Sequence, residues 1–246
     1  MTALDDLAAT PFHAATAPQR SQMLSRLADT ELSVALTAEP VGDQVELRIF
    51  PLETGPVALA CDSEDRLAGF FGAPVAYAAM PGRVLAEMLR GAETGLLVNP
   101  GHPSEMLLDA AMLDWLSGAL AVAPETGEAR LHLTGPAPET VAALAGPLAA
   151  RLGDMRGLIS GAALAGVRGE AGIAGHLLLI SGAGAGHQPA IAKALAEALA
   201  FLPPQSGGVD ISFSEAAPPP TALRFDLTLP EVPAPPAGPK GPPILR

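Results

Sequence analysis

Cationic side chains, thiols and aromatic rings are all scarce in this 246-residue chain. Lys and Arg together number 14 against 26 Asp and Glu, giving a formal net charge of -12, and only two of those bases are Lys. A nucleic-acid binder neutralises phosphates with clustered cations, and no basic run is present here. The same deficit argues against an anionic membrane surface. A lone cysteine, Cys61, cannot form an internal disulfide, so nothing points to an oxidising compartment. The five His residues, at 13, 102, 132, 176 and 187, show no ligand spacing and have no Cys among them, so neither a metal nor a cofactor is expected. Basic residues are missing from the first turn of the chain as well. Met1-Thr2-Ala3-Leu4-Asp5-Asp6 is acidic where a signal peptide is basic, and no apolar stretch follows. The uncharged run Ala171–Ala192 has the length of a membrane span, but His176, His187, Gln188 and Pro189 fit a strand, a Gly loop and a helix start instead. These absences lead to the expectation of a cytoplasmic protein with no membrane, nucleic-acid or metal partner.

What is present is apolar and small: 49% of residues are hydrophobic, enough for one large core or two small ones. Acid is unevenly divided, with 16 acids and 6 bases in residues 1–121 but 10 and 8 in residues 122–246. Apolar spacing predicts a short amphipathic lead over Thr2–Phe12 and a helix over Pro18–Asp29. Alternation predicts strands at Glu31–Thr37, Val45–Phe50 and Pro56–Cys61, read as a meander. Asp62-Ser63 cap a helix over Glu64–Phe71, with acids in its first turn where the helix dipole favours them. A strand at Val75–Met80, a helix opened by Pro81, strands at Gly95–Val98 and Glu105–Leu108, and a helix from Asp109 to Leu120 complete a first α+β domain, residues 1–121.

After a linker around Pro124 and Gly127, the order is strand (Ala129–Thr134), helix (Pro138–Leu152), strands (Met155–Val167 and Gly172–Ser181), helix (Pro189–Leu202) and strand (Gly208–Phe213). That β-α-β-β-α-β order predicts a ferredoxin-like second domain, residues 129–229, with Pro147 arguing against an unbroken first helix. Thr221–Leu229 alternates well enough for one more edge strand. Residues 216–246 hold 10 of the 26 prolines, so from Pro230 to Arg246 an extended, polyproline-like tail is expected. The fold class is thus α+β, in two small mixed α/β domains and a Pro-rich tail.

The run Asp62-Ser63-Glu64-Asp65-Arg66-Leu67, the stretch Tyr77-Ala-Ala-Met-Pro81-Gly82-Arg83-Val84-Leu85-Ala86-Glu87-Met88-Leu89, and Gly95-Leu-Leu-Val-Asn99-Pro100-Gly101-His102-Pro103-Ser104-Glu105-Met106-Leu107 with Trp115-Leu116 after it together resemble the N-terminal domain of the SseB family. The likeness covers roughly residues 1–121; the second half is similar to the family in layout only. The resemblance implies a bacterial cytoplasmic protein with an α+β fold, no established enzymatic activity, no agreed catalytic residues, and a family name taken from enhanced serine sensitivity.

Two loops carry the candidate residues. In Asn99–Glu105, Asn and Gly tolerate positive φ and two prolines stiffen the backbone, so Asn99, His102, Ser104 and Glu105 form a candidate interaction surface. No base–orienter pair accompanies them, so no catalytic residue is assigned. Gly182, Gly184 and Gly186 lie between an apolar strand and a helix, where free backbone N–H groups can meet an anion. Their spacing is neither that of a dinucleotide fingerprint nor that of a P-loop, and Glu215 is 33 residues beyond Gly182, far for a ribose partner. Cys61 precedes a helix that would stabilise a thiolate, but flanking acids and the alternation of its strand point to a core position. The expectation is a non-catalytic adaptor or regulatory protein that contacts an unidentified protein partner or a second copy of itself, with the link to serine tolerance that the resemblance implies. The alternative is a sensor or enzyme for an amino acid or nucleotide, using the loop 182–186.

Overall fold

The computed structural model describes residues 1–40, 42, 44–125, 127, 131–168 and 174–227. The expected lead is two single-turn 3-10 helices, Asp5–Leu7 and Phe12–Ala14, which bury Leu4, Ala8 and Phe12 in the core. Helix α1 (Ala17–Asp29) begins in a capping box, the Thr16 N–H donating to Gln19 Oε1 at 2.9 Å, and its Met23, Leu24 and Leu27 face inward.

Strands β1 (Glu31–Ala35), β2 (Ile49–Leu52), β3 (Gly55–Cys61), β4 (Tyr77–Pro81), β5 (Gly95–Val98) and β6 (Met106–Leu108) form the first sheet, in the order β4-β1-β3-β5-β6. A meander would put β2 between β1 and β3. Instead β1 pairs β3 directly at Ser33–Cys61, and β2 continues along the same edge of β3 at Ile49–Ala58. The second strand also starts later than expected, because Val45 and Leu47 serve the core from a segment that meets the end of β1 through the Leu36–Leu47 bridge and the Arg48 N–H bond to Ala35 O, without a continuous ladder. Helices α2 (Glu64–Phe71) and α3 (Gly82–Leu89) lie between these strands, and α4 (Ala110–Ala121) follows β6. Ser63 Oγ accepts the Arg66 N–H at 3.3 Å and Asp109 Oδ1 accepts the Met112 N–H at 2.7 Å, so α2 and α4 start where the sequence supplies an N-cap. Helices α1, α3 and α4 bury the main core on one sheet face, whereas the short α2 closes a smaller cluster of Ala35, Leu59, Cys61 and Leu67 on the other.

The second sheet comprises β7 (His132–Thr134), β8 (Gly161–Arg168), β9 (Ala174–Ser181), β10 (Val209–Phe213) and β11 (Leu223–Phe225). Helices α5 (Pro138–Gly153) and α6 (Gln188–Ala200) pack Leu144, Leu148, Ile191 and Leu195 against its Leu178 and Ile180. Pro147 does not break α5, because it occupies the solvent side of the helix. The fold class is α+β, with two mixed sheets, and the order β-α-β-β-α-β is present. The strand pairing, however, is not that of a ferredoxin-like domain, in which the first and third strands are adjacent. Here the strands run β10-β9-β8, and β8 carries both β7 and β11 on its outer edge. The crossover through α6 lays β10 parallel on the free edge of β9, the place an interleaved first strand would need, so the three-residue β7 is left with β8. The expected strand at Met155 starts only at Gly161, since Met155–Ile159 is a turn closed by Leu158 and Ile159 N–H bonds to Met155 O. The tail expected from Pro230 lies outside the described residues.

The halves meet at one seam. Asp29 of α1 bonds Arg83 of α3 and Arg151 of α5, and Arg83 Nη1 also reaches Glu197 Oε2 of α6 at 3.2 Å. Phe201, just past α6, is buried in the core of the first half and meets the Trp115 ring edge-on at 5.6 Å.

Candidate functional site

The loop Asn99–Glu105 follows directly from β5, and its geometry comes from one unusual residue. Asn99 has a positive φ of 48°, which lets the chain turn at once after Val98. Its N–H donates to Ala60 O at 3.0 Å, its Oδ1 accepts the Asp62 N–H at 2.9 Å, and its Nδ2 donates to Ser104 Oγ at 2.9 Å. Asn99 therefore ties β3, the start of α2 and its own loop together. Both Asn99 and Ser104 are fully buried.

Ser104 is the hinge to a second set of groups. Its hydroxyl donates to Asp5 Oδ1 at 2.6 Å and accepts from Arg66 Nη1 at 3.3 Å. Arg66 lies between two buried carboxylates, bonding Asp62 Oδ1 at 3.0 Å through Nη1 and Asp5 Oδ2 through Nη2. Thr2 closes the cluster, its N–H donating to Asp5 Oδ2 at 3.0 Å and its hydroxyl to Asp62. The Arg66 guanidinium, helped by the Ser104 and Thr2 hydrogen bonds, holds the Asp5 carboxyl well below the usual carboxylate range. The Asp5 and Asp62 carboxylates in turn raise Arg66. The guanidinium, the two carboxylates and the Ser104 and Thr2 hydroxyls bond to one another, so this constellation clamps the N-terminal turns onto the sheet.

The other two residues of the candidate surface point the other way. Glu105 is exposed and its Oε2 accepts the Gly101 N–H at 2.7 Å; His102 is half-buried. The structure thus brings Asn99 and Ser104 together inside and leaves Glu105 and part of His102 outside. Thr2, Asp5 and Arg66 were not singled out by sequence reasoning. The i,i+4 spacing of Asp62 and Arg66 was a readable signal; the arrival of Asp5 from the far end of the chain was not.

At the second loop, Gly182 has φ +72°, and its N–H donates to Glu215 Oε1 at 2.9 Å. The acid that looked too distant for a ribose partner in fact fills the place an anion would take. A Cβ at Gly182 would overlap the Ser160 side chain, whereas Gly184 is in ordinary contact with His187 and Gly186 faces open space. Cys61 is fully buried, and that burial pushes its thiol up to about 11.

A third feature escaped sequence reasoning because it exists only across the seam. Helices α3, α4 and α6 enclose an open groove of about 630 Å³. Val84 and Met88, each 43% exposed, form an apolar wall, and Ser117 and Leu120 of α4 line the groove as well. Lys193 spans its edge, donating to Leu120 O at 3.0 Å and pairing with Glu197 Oε1 at 3.1 Å. Among the described residues no group of His, Cys, Asp or Glu could hold a metal ion, and no helix is long and apolar enough to cross a membrane.

A comparison with curated proteins finds no match, and neither does one with solved structures. Residues 7–115 match the family model of the SseB protein N-terminal domain, a span that contains the first sheet, α1 to α3 and the Asn99–Ser104–Arg66 part of the cluster. Over those 109 of its 246 residues the chain is similar to the SseB protein N-terminal domain.

Proposed function

We propose that this chain is a non-catalytic adaptor or regulatory protein that works in the cytoplasm by binding another protein, with a link to serine tolerance of the kind the family name implies. The observation that carries this reading is the open, apolar-walled groove between α3, α4 and α6. Val84 and Met88 stand free along it, and Met is a side chain suited to adaptable contacts. Its ionic rim is already paired through Arg83, Lys193 and Glu197, which suits recognition by shape better than acid–base chemistry. The outward groups of the family-domain loop, His102 and Glu105, offer a second contact on the same half.

A small-ligand sensor built on Gly182–Gly186 has less support, because the Glu215 carboxylate already takes the Gly182 N–H. Affinity capture from native lysate with the full chain tests the adaptor reading. A partner retained by wild type but lost by Val84→Glu/Met88→Glu, with the fold unchanged, is the expected result. A partner lost instead only with Glu105→Lys would move the contact to the loop, and no specific partner in any arm would overturn the reading.

A further inference from the structure

Aromatic residues are few in this chain, yet four of the nine gather at one place. Phe50 of β2, Phe71 of α2 and Tyr77 of β4 pack on the sheet face that α2 covers, and Phe70 stands beside them, 48% exposed. The rings meet at angles: Phe70 and Phe71 edge-on at 5.2 Å, Phe50 and Phe71 tilted at 5.9 Å. The Arg48 guanidinium lies 5.4 Å above Phe50 and 5.1 Å above Phe71. Leu52, 41% exposed, extends the patch along β2. Angled rings with furrows between them are the surface that polyproline segments use, since prolyl rings stack on aromatic faces and the fixed φ of proline keeps the ordering cost low.

The sequence contains such a segment. Residues 230–243 hold seven prolines and only two charges, Glu231 and Lys240. Those charges complement the patch, where Arg48 stacks on the rings and the acids Glu64 and Glu39 act on Tyr77. We propose that the proline-rich segment 230–243 docks on the Phe50–Phe70–Phe71–Tyr77 surface of its own chain. Ten to twelve extended residues beyond Leu227 reach about 35 Å, on the order of a domain's diameter. A tether that spans the site holds its segment at an effective concentration in the millimolar range, which favours the same chain over a second copy. This docking is independent of the adaptor reading and uses a different surface.

The test is paramagnetic broadening in the ¹⁵N-labelled full chain with a nitroxide on Ala237→Cys. Cys61 does not compete for the label, because it is buried and its thiol is pushed up to about 11. The expected result is selective loss of amide signal over residues 64–72, restored in the same labelled chain carrying Phe70→Ser. Pro235→Ser/Pro236→Ser, which leaves the described fold untouched, restores it too and decides the matter alone if Phe70→Ser disturbs the fold. Three results would overturn the proposal: no selective loss, loss unchanged by these substitutions, or loss seen only on mixing a spin-labelled unlabelled-nitrogen chain with a ¹⁵N chain that carries no nitroxide. The last would assign the contact to a second copy.

Discussion

Arg66 illustrates how a single side chain sets the chemistry of the family domain. Its guanidinium is shared by Asp5 and Asp62, both buried, so removing it leaves two carboxylates without their cation. Arg66→Leu is expected to cost about 3 kcal/mol in urea unfolding, the scale for breaking a buried pair from one side. The pH dependence follows from Asp5. Its folded pKa is lowered, so its contribution is present above the unfolded value of about 4 and is lost as pH falls toward the lower folded value. Acid titration should therefore weaken the protein below about pH 4, and Asp5→Asn should flatten that limb; an unchanged limb would show that Asp5 is not its source. Cys61 gives the complementary prediction. With its thiol buried and raised to about 11, it should resist iodoacetamide at pH 8 in the native state and react once the chain is unfolded.

At the scale of elements, the glycine loop separates geometry from function. Gly182 combines a φ of +72° with overlap of any Cβ onto Ser160, so Gly182→Ala is expected to cost about 2 kcal/mol or more. A methyl group at Gly186 would have nothing within 4 Å of it, so Gly186→Ala should change the melting temperature little. Equal effects at the two positions in thermal denaturation would contradict this account. The contrast follows from the turn itself. Gly182 begins the connection from β9 to α6 and holds Glu215, while Gly186 lies in its outer arc.

The whole molecule is joined by a ring as much as by charge. Phe201 belongs to the second half of the sequence but is buried in the core of the first. Phe201→Ala is expected to cost about 3 kcal/mol, and the loss should appear in the unfolding of the first half. Fluorescence of Trp115, the only Trp in the chain and the edge-on partner of Phe201, reports on that half directly. A Trp115 transition that does not shift would show that the two halves are less coupled than the seam implies.

Residue pattern alone was enough for the elements with strong local signals. Helices α1, α2 and α4 carry their caps at Thr16, Ser63 and Asp109, and β3, β5 and β9 carry apolar runs, so propensity and burial agree there. The family domain was legible in the same way, through motifs between Asp62 and Trp115 that lie within the matched span. What the pattern left open was pairing. Nothing local distinguishes a β2 inserted between β1 and β3 from one laid along the same edge of β3 as β1, or a first strand beside β9 from one beside β8. Those choices depend on which sheet edge remains free after the crossovers have closed. The polar cluster was hidden for a related reason. Asn99 and Ser104 read as a displayed loop until Asp5 and Arg66, 99 and 38 residues from Ser104, converge on that hydroxyl. The groove exists only because α3, α4 and α6 meet at the seam. Sequence by itself determined where helices and strands form, because capping and periodicity act over a few residues. Tertiary structure alone decided which edges pair and which polar groups are buried together, because those energies arise between residues far apart along the chain.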